Sequence, residues 1–448
     1  MKPTEVFDSF CPQVWSRLKA VRLFSNATER AREGDVQLSA SQKFGVVPQS
    51  KLMEEEDTKY MLALSGTDNF KHVQKDDFVI SLRSFEGGFE HSAYEGCVSP
   101  AYTVLRPKAK IYPGYWRYLF KSSIFKDVLA AFNVGIRDGK SIRYDDFSQF
   151  LLAVPSLDSQ QTIATYLDGE TARIDALVEK KTLFIDLLRE KRHALVTHAV
   201  TKGLDPSVPM KDSGVEWLGV VPAQWMVHTL SRVTISRCDG PFGSAIKSET
   251  YSESGVRVVR LQNIGFNEFK GDDVAYIPAD YKQNEIGSGH DVLPDDLLMA
   301  GLGDDNNFLG RVCVAPEDIG ETIVKADCYR FRVNTRKVTP RFLAYQLSAT
   351  SKNECGFIST GSTRARLNLS LAASRMVAIP PTLAEQRDIA NWVERSMSAI
   401  NSLIMKCERS IELLKEHRSA LITAAVTGQI DLQDTFAAAS QIDLGTTA

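Results

Sequence analysis

One feature constrains this chain more than any other: a stretch of 51 residues occurs twice, without a gap. PSLDSQQTIATYLDGETARIDALVEKKTLFIDLLREKRHALVTHAVTKGLD runs from Pro155 to Asp205. PTLAEQRDIANWVERSMSAINSLIMKCERSIELLKEHRSALITAAVTGQID runs from Pro381 to Asp431, offset by 226 residues throughout. Internal repeats of this kind decide architecture before any local reading does. Matched pairs include Gln160/Gln386, Ile163/Ile389, Ala164/Ala390, Ile174/Ile400, Leu177/Leu403, Ile185/Ile411, Leu188/Leu414, Arg192/Arg418 and Thr201/Thr427. The order of the chain is therefore variable region, repeat, variable region, repeat.

Each repeat reads as one long helix. Leu167, Ile174, Leu188 and Leu195 recur at heptad spacing, with Leu177 and Ile185 beside them. The second copy sets Val393, Ile400, Leu414 and Leu421 on the same stripe, with Leu403 and Ile411 beside them. Apolar residues at this period want a partner helix. Cys407 also falls on that second stripe, and Lys181, which lies opposite it in the alignment, interrupts the first. Pro155 and Pro381 precede the helix starts, and Gly203 and Gly428 mark the ends. About 40 residues at ~1.5 Å each make ~60 Å of helix. The simplest arrangement is an antiparallel coiled coil between the two copies, related by a pseudo-two-fold axis, with the variable regions at its opposite ends. The alternative is that each helix packs on its own domain. Glu190, Arg192, Glu416 and Arg418 are expected in interhelical or solvated salt bridges, and His193, His198 and His417 on the helix surface.

A weaker echo leads into each half. Pro12-Gln-Val-Trp15 matches Pro222-Ala-Gln-Trp225, and a Leu-x-x-Val follows each, Leu18 to Val21 and Leu230 to Val233, with a two-residue difference in spacing. Trp15 and Trp225 are expected in the core. The variable regions, residues 1–154 and 206–380, mix short apolar runs with Gly, Asn, Asp and Pro clusters, which predicts α+β domains with many loops. The organisation is thus domain 1 at 1–154, helical spacer 155–205, domain 2 at 206–380, helical spacer 381–431, and a small, polar tail at 432–448.

Composition sets limits. Apolar residues are 43% and charged residues 24% of the 448, enough for ordinary cores. No run approaches the ~20 apolar residues of a membrane span, and the N-terminal sequence MKPTEVFDSFCPQ lacks the apolar stretch of a signal peptide. Seven scattered cysteines, without a C-x-x-C, suggest neither disulfides nor zinc and fit a reducing cytoplasm. The net charge of −3 conceals strong segregation. Residues 271–320 carry −9, residues 321–380 carry +7, and residues 108–155 carry +4. Basic segments of this kind suit a nucleic-acid partner, with solvated surface as the alternative.

Familiar catalytic signatures do not match. Gly135-Ile-Arg-Asp-Gly-Lys-Ser141 has three residues between its glycines where a Walker A loop has four. Ile379-Pro-Pro-Thr382 lacks the polar residue and the aromatic of an amino-methyltransferase motif. Asp57-Thr-Lys59 has a nuclease-like Asp-x-Lys form but sits in the charge run beginning at Glu54. Gly301-Leu-Gly303 reads as a turn. No metal-binding or catalytic residue is assigned.

The whole chain up to about residue 431 resembles the specificity subunit of type I restriction–modification systems. The resemblance is carried by LDSQQTIATYLD…RIDALVEK…LLREKRHALVTHAV, by LAEQRDIANWV…INSLIMK…LLKEHRSALITAAVTGQID, by the lead-in SGVEWLGVVPAQW (Ser213 to Trp225) and by GPFGSAIK. Ser159 is a departure, standing where the second copy has Glu385. The resemblance implies a non-catalytic DNA-reading subunit. Each globular domain would read one half of a bipartite, asymmetric DNA site, and the helices would set the spacing and dock two methyltransferase subunits. It also implies that S-adenosylmethionine, ATP and Mg belong to partner subunits, including optional restriction subunits. Two readers held at a fixed separation can address major-groove faces only at discrete distances, one turn being ~34 Å.

Base edges favour Arg, Lys, Asn and Gln, while phosphates take bases and polar loops. The candidates in domain 1 are Lys43, Arg83, Ser84, His91, Arg106, Lys108, Arg137, Lys140 and Arg143. Those in domain 2 are Lys247, Ser248, Arg257, Arg260, Gln262, Asn263, Lys352, Arg364 and Arg366. For each, an ordinary surface charge or polar group is the alternative. Two other functions compete with DNA recognition. A free-standing nuclease would cleave as the purified chain and lose that activity on Asp57→Ala. A protein-only coiled-coil scaffold would show no sequence-dependent DNA binding, even with a methyltransferase.

Overall fold

In a computed structural model of the chain, the described residues are 10–56, 67–81, 88–132, 142–241, 245–304, 307–358, 366–430 and 432. They fall into two compact units: Met1–Thr182 with Glu408–Ala448, and Leu183–Cys407. Each unit contains one globular region and a segment of both long helices. The helices themselves are continuous, Leu157–Lys202 and Leu383–Val426.

The globular part of the first unit opens and closes on one antiparallel pair, Ser16–Lys19 with Leu151–Val154. A single helical turn, Ala20–Leu23, leads from the first of these strands into a four-stranded antiparallel sheet. The order across that sheet is Phe24–Ala27, Thr103–Pro107, Phe78–Ile80, Phe89–His91. Helices Pro113–Leu119 and Ser123–Phe132 cover it. Phe24, Phe78, Phe89, Trp116, Phe120, Phe125 and Phe147 form an aromatic core between them, in a mixture of edge-on and tilted contacts. Edge-to-face contacts of this type contribute ~1 kcal/mol each beyond area burial.

The second unit repeats the plan. Met226–Thr229 pairs with Met376–Ile379, a turn at Leu230–Val233 follows, and the sheet order is Thr234–Cys238, Cys328–Val333, Leu297–Ala300, Val312–Val314. One helix, Pro340–Ile358, replaces the two of the first unit. The addition is a second four-stranded sheet, ordered Tyr276–Ile277, Val256–Val259, Thr322–Val324, Asp291–Val292, whose two central strands run parallel.

This duplication corrects the sequence register of the lead-in. From Pro12/Pro222 through Trp15/Trp225 to Ala20/Leu230 and Leu23/Val233, the offset is 210 residues with no gap. Leu230 therefore answers Ala20 rather than Leu18. All four of these turn residues are buried, at 0%, 0%, 1% and 3% exposed.

The helices meet their units through repeated contacts. Gln160 Oε1 accepts from the Tyr112 amide (2.9 Å) and from Trp116 Nε1 (3.1 Å), while its Nε2 donates to Pro155 O (3.0 Å). Gln386 accepts from the Thr339 amide (2.8 Å) and donates to Pro380 O (3.1 Å). Both glutamines are buried. At the other ends, the carbonyl of Val426 accepts from Tyr115 Oη (2.9 Å), and its repeat match Val200 O accepts from Gln346 Nε2 (2.5 Å). Burial pushes the Tyr115 phenol well above its usual range, so it stays a donor. The helix ends are closed by glycines in the left-handed region. Gly428 (φ 72°) completes a Schellman pattern, with Gln429 N to Ala424 O at 2.8 Å and Gly428 N to Ala425 O at 3.1 Å. Gly203 (φ 77°) closes the first helix with a single bond to Ala199 O (3.1 Å). Glu385, where the first copy has Ser159, accepts from the buried Trp225 Nε1 (2.9 Å). Ser159 instead meets Ser156 Oγ (2.9 Å).

Within each unit the two helical segments run antiparallel. In the first, Arg418 bridges to Asp175 (3.0 Å). In the second, Arg192 Nη1 donates to Asn401 Oδ1 (2.7 Å). The two contacts are images of one another under the 226-residue offset, since Asp175 matches Asn401 and Arg192 matches Arg418. The buried stripe holds Leu167, Ile174, Ile185, Leu188, Val393 and Ile400, as expected. Leu195, Ile411, Leu414 and Leu421 are half-buried on it. Val196 and Ile422, 2% and 5% exposed, take the innermost place expected for Leu195 and Leu421. Leu177 and Leu403 depart from expectation. They stand 39% and 45% exposed, because the 3–4 alternation places Val178 and Ile404 on the seam one residue further on.

Candidate nucleic-acid interface

The second sheet of the second unit gathers a basic and aromatic surface. Strand Val256–Val259 runs into a 3₁₀ turn, Leu261–Asn263. Asn263, fully buried, ties this turn to the following segment. Its Oδ1 accepts from the Arg260 amide (2.8 Å), and its Nδ2 donates to Lys270 O (3.0 Å) and Asp273 O (2.7 Å). That arrangement puts the Asp273 carboxylate against both the Arg260 guanidinium and the Gln262 amide. Arg260 lies 5.9 Å over the Tyr251 ring, and Lys325 donates to Tyr251 Oη (2.8 Å). Arg257 stacks on Phe269 (4.9 Å) and donates to Gly271 O (2.9 Å). Arg257 and Lys325 are thus fixed by aromatic faces and neutral acceptors, a setting that leaves their charge unneutralised, whereas Arg260 is paired with the Asp273 carboxylate.

The sequence candidates separate into three groups. Arg257, Arg260 and Gln262 come together on this surface, and Lys247 and Ser248 stand exposed at the turn before Tyr251. In the first unit Lys43 is exposed at the tip of the hairpin Leu38–Ser41/Gly45–Pro48, over Phe44 (4.7 Å). Lys108 and Arg143 are also exposed. A second group is committed to internal structure. Asn263 is the staple described above, not a surface reader. Arg106 forms two-oxygen contacts to the buried Asp77 (3.0 Å from Nη2) and meets Glu29 (2.6 Å). His91 bonds Asp76 (2.9 Å), packs on Phe78 (5.3 Å), and is held below its ordinary pKa by burial. Arg366 is 60% exposed but bridges to Asp327 (2.8 Å). Finally, Arg83, Ser84, Arg137, Lys140, Arg364 and the Lys352 side chain lie outside the described residues, as do Asp57 and the segment Gly135–Ser141.

Sequence reasoning missed Tyr251, Phe269, Asp273 and Lys325. Asp273 sits in the run of net charge −9, where its role as an anchor for bases has no local signature. Lys325 and Tyr251 are 74 residues apart. Among the described residues, no group of three or more His, Cys, Asp or Glu side chains is placed to hold a metal ion, and no helix is long and apolar enough to cross a membrane.

A duplicated α+β domain, alternating with a duplicated long helix, is the fold of type I restriction specificity subunits, and this chain resembles them nearly end to end. No family model matches the chain. It is 24% identical to the MjaVIII specificity subunit of Methanocaldococcus jannaschii, over 81% of each protein. It is 22% identical to the StySPI specificity subunit of Salmonella potsdam, over 81% of this chain and 76% of the relative. Among solved structures, one describing complex assembly and conformational transition of the type I R-M system superposes with a TM-score of 0.67 at 15% identity, covering 94% of this chain and 99% of that one. The HsdS subunit of Thermoanaerobacter tengcongensis gives 0.54 at 13% identity, over 94% and 98%.

Proposed function

We propose that this chain is the DNA-recognition subunit of a type I restriction–modification complex. Each globular region reads one half of a bipartite, asymmetric site, and the long helices set the spacing. The observation that carries this reading is the division of labour in the duplication. The helices and their buried glutamine anchors recur in both copies, whereas the second globular region carries a four-stranded sheet, Tyr276–Ile277, Val256–Val259, Thr322–Val324 and Asp291–Val292, that the first does not match among the described residues. A conserved frame with two unlike faces suits a reader of two unlike half-sites.

The helices also support partner docking. Leu177 and Leu413 are exposed in the first unit, and their repeat matches Leu403 and Leu187 are exposed in the second. Equivalent apolar positions, one set per unit, fit two copies of one partner, here two methyltransferase subunits. S-adenosylmethionine, ATP and Mg would then be bound by the methyltransferase and any restriction subunits, and the chain itself would be non-catalytic.

Exchange of the globular regions tests the reading. Replacing residues 1–154 with those of another specificity subunit should change one half of the methylated sequence in a genome-wide methylation map. Replacing 222–380 should change only the other. A swap that altered both halves would overturn the two-reader assignment.

A further inference from the structure

The Asp273 clamp assigns a specific reading task to the second domain. The argument rests on the proposed DNA-recognition role. Asp273 uses one carboxylate oxygen for Arg260 and the other for Gln262. Gln262 spends one of its two Nε2 hydrogens on that bond, which sets its amide orientation. Among the described residues, Gln262 Oε1 and Arg260 Nη1 have no hydrogen-bond partner. A cationic donor and a neutral acceptor are left side by side. Both belong to a turn that the buried Asn263 pins at both ends. Arg260 is further steadied over Tyr251, whose hydroxyl is held by Lys325.

In the major groove, adenine alone presents an acceptor (N7) beside a donor (N6) on one base. Guanine presents two acceptors, cytosine a donor, and thymine an acceptor and a methyl. A free glutamine can satisfy adenine by itself; here one of its two Nε2 hydrogens is held by Asp273, and the Arg260 guanidinium stands on the other oxygen of the same carboxylate as a second donor. We propose that Arg260 and Gln262 together read one adenine in the half-site of the second domain. Arg260 donates to N7 and Gln262 Oε1 accepts from N6. Asp273 is a positioning residue: it touches no base and fixes the spacing of the two groups that do.

The full-length chain in complex with its methyltransferase subunits would be titrated against duplexes carrying every base pair at each position of its site. Asp273→Asn and Gln262→Ala are the test variants. Asp272→Asn, which removes a neighbouring exposed acid, is the control for charge. Asp273→Asn is expected to lower discrimination at a single A·T pair by roughly tenfold. Preference elsewhere should be intact, and overall affinity equal or higher because a negative charge is lost. Gln262→Ala should relax the same position, and Asp272→Asn none. The clamp is refuted if the wild-type complex reads its half-sites and both test variants keep their preference at every position, or if the position relaxed is a G·C pair. A wild-type complex that shows no sequence preference at all would instead remove the DNA-recognition role on which the clamp depends.

Discussion

At the scale of single residues, the second unit buries one ion pair whose members depend on each other. Arg375 and Glu354 are both fully buried and lie 2.7 Å apart. Arg375 also donates to Gly310 O (2.7 Å) and Leu347 O (2.6 Å). Removing one member of such a pair leaves an uncompensated charge in the core. Glu354→Ala should therefore cost ~3–5 kcal/mol in chemical denaturation of the full chain. A loss below about 1 kcal/mol would mean that water reaches Arg375 after all. In the first unit, His91 makes a pH prediction. Burial holds its pKa below 6.5 in the fold, despite the opposing bond to Asp76. The unfolded chain then takes up a proton first as pH falls, so stability declines below the unfolded pKa of ~6.5 and is complete above it. His91→Gln should flatten that part of the stability–pH curve. A steeper curve in the variant would reverse the sign argued here. Neither residue's role was legible beforehand. His91 sits in a polar loop-rich stretch and reads as a surface candidate, and only the approach of Phe78 and Asp76 takes it out of contention. The same holds for Asn263, whose buried amide is fixed by the turn it sits in, and for Arg106, whose partners Asp77 and Glu29 lie 29 and 77 residues away.

At the scale of elements, the long helices were nearly fully legible. Their starts, ends and antiparallel pairing follow from the gapless offset, two prolines, two glycines and a heptad stripe. What the period alone could not resolve was the side of the stripe on which a flanking leucine falls. Leu177 and Leu403 are one residue off a seam that runs through Val178 and Ile404. The lead-in strands were legible only in part, because a four-residue match admits more than one register until the strand pairs fix it. The repeated polar contact across the helices gives a prediction at this scale. Polar groups at a helix seam are among the best-attested devices for fixing register. Copy one supplies Asp175 to Arg418, and copy two supplies only a neutral Asn401 to Arg192. Asn401→Asp should restore the charge and stabilise the second unit by ~0.3–1 kcal/mol, with the gain fading in high salt. Thermal melts at low and high ionic strength would show it. A salt-independent loss of stability would indicate that desolvation of the new carboxylate outweighs the attraction.

At the scale of the whole molecule, the two copies of the helix carry a surface that neither globular region uses. Within the second unit, Leu183, Phe184, Leu187, Leu403 and Met405 are 60%, 47%, 52%, 45% and 68% exposed. Single exposed leucines are ordinary, but five large apolar side chains on the paired helical segments of one unit call for a cover. Burying a leucine or phenylalanine contributes ~1.5–3 kcal/mol, so a few of them can anchor an interface. These side chains contribute little to the helix seam, which is filled by Ile185, Leu188, Val393 and Ile400. Exchanging Phe184 and Leu187 for serine should therefore leave the melting curve of the isolated chain almost unchanged. If the methyltransferase docks here, the exchange should weaken its co-purification at least tenfold, because each lost anchor removes ~1.4 kcal/mol or more. A companion exchange in the first unit, at Leu413 and Leu177, the repeat matches of Leu187 and Leu403, should weaken the binding of a second copy. Losing one site at a time would reduce the partner count from two to one in native mass spectrometry. If either exchange removed both copies together, the two helical faces would not be the independent docking sites that the duplication suggests.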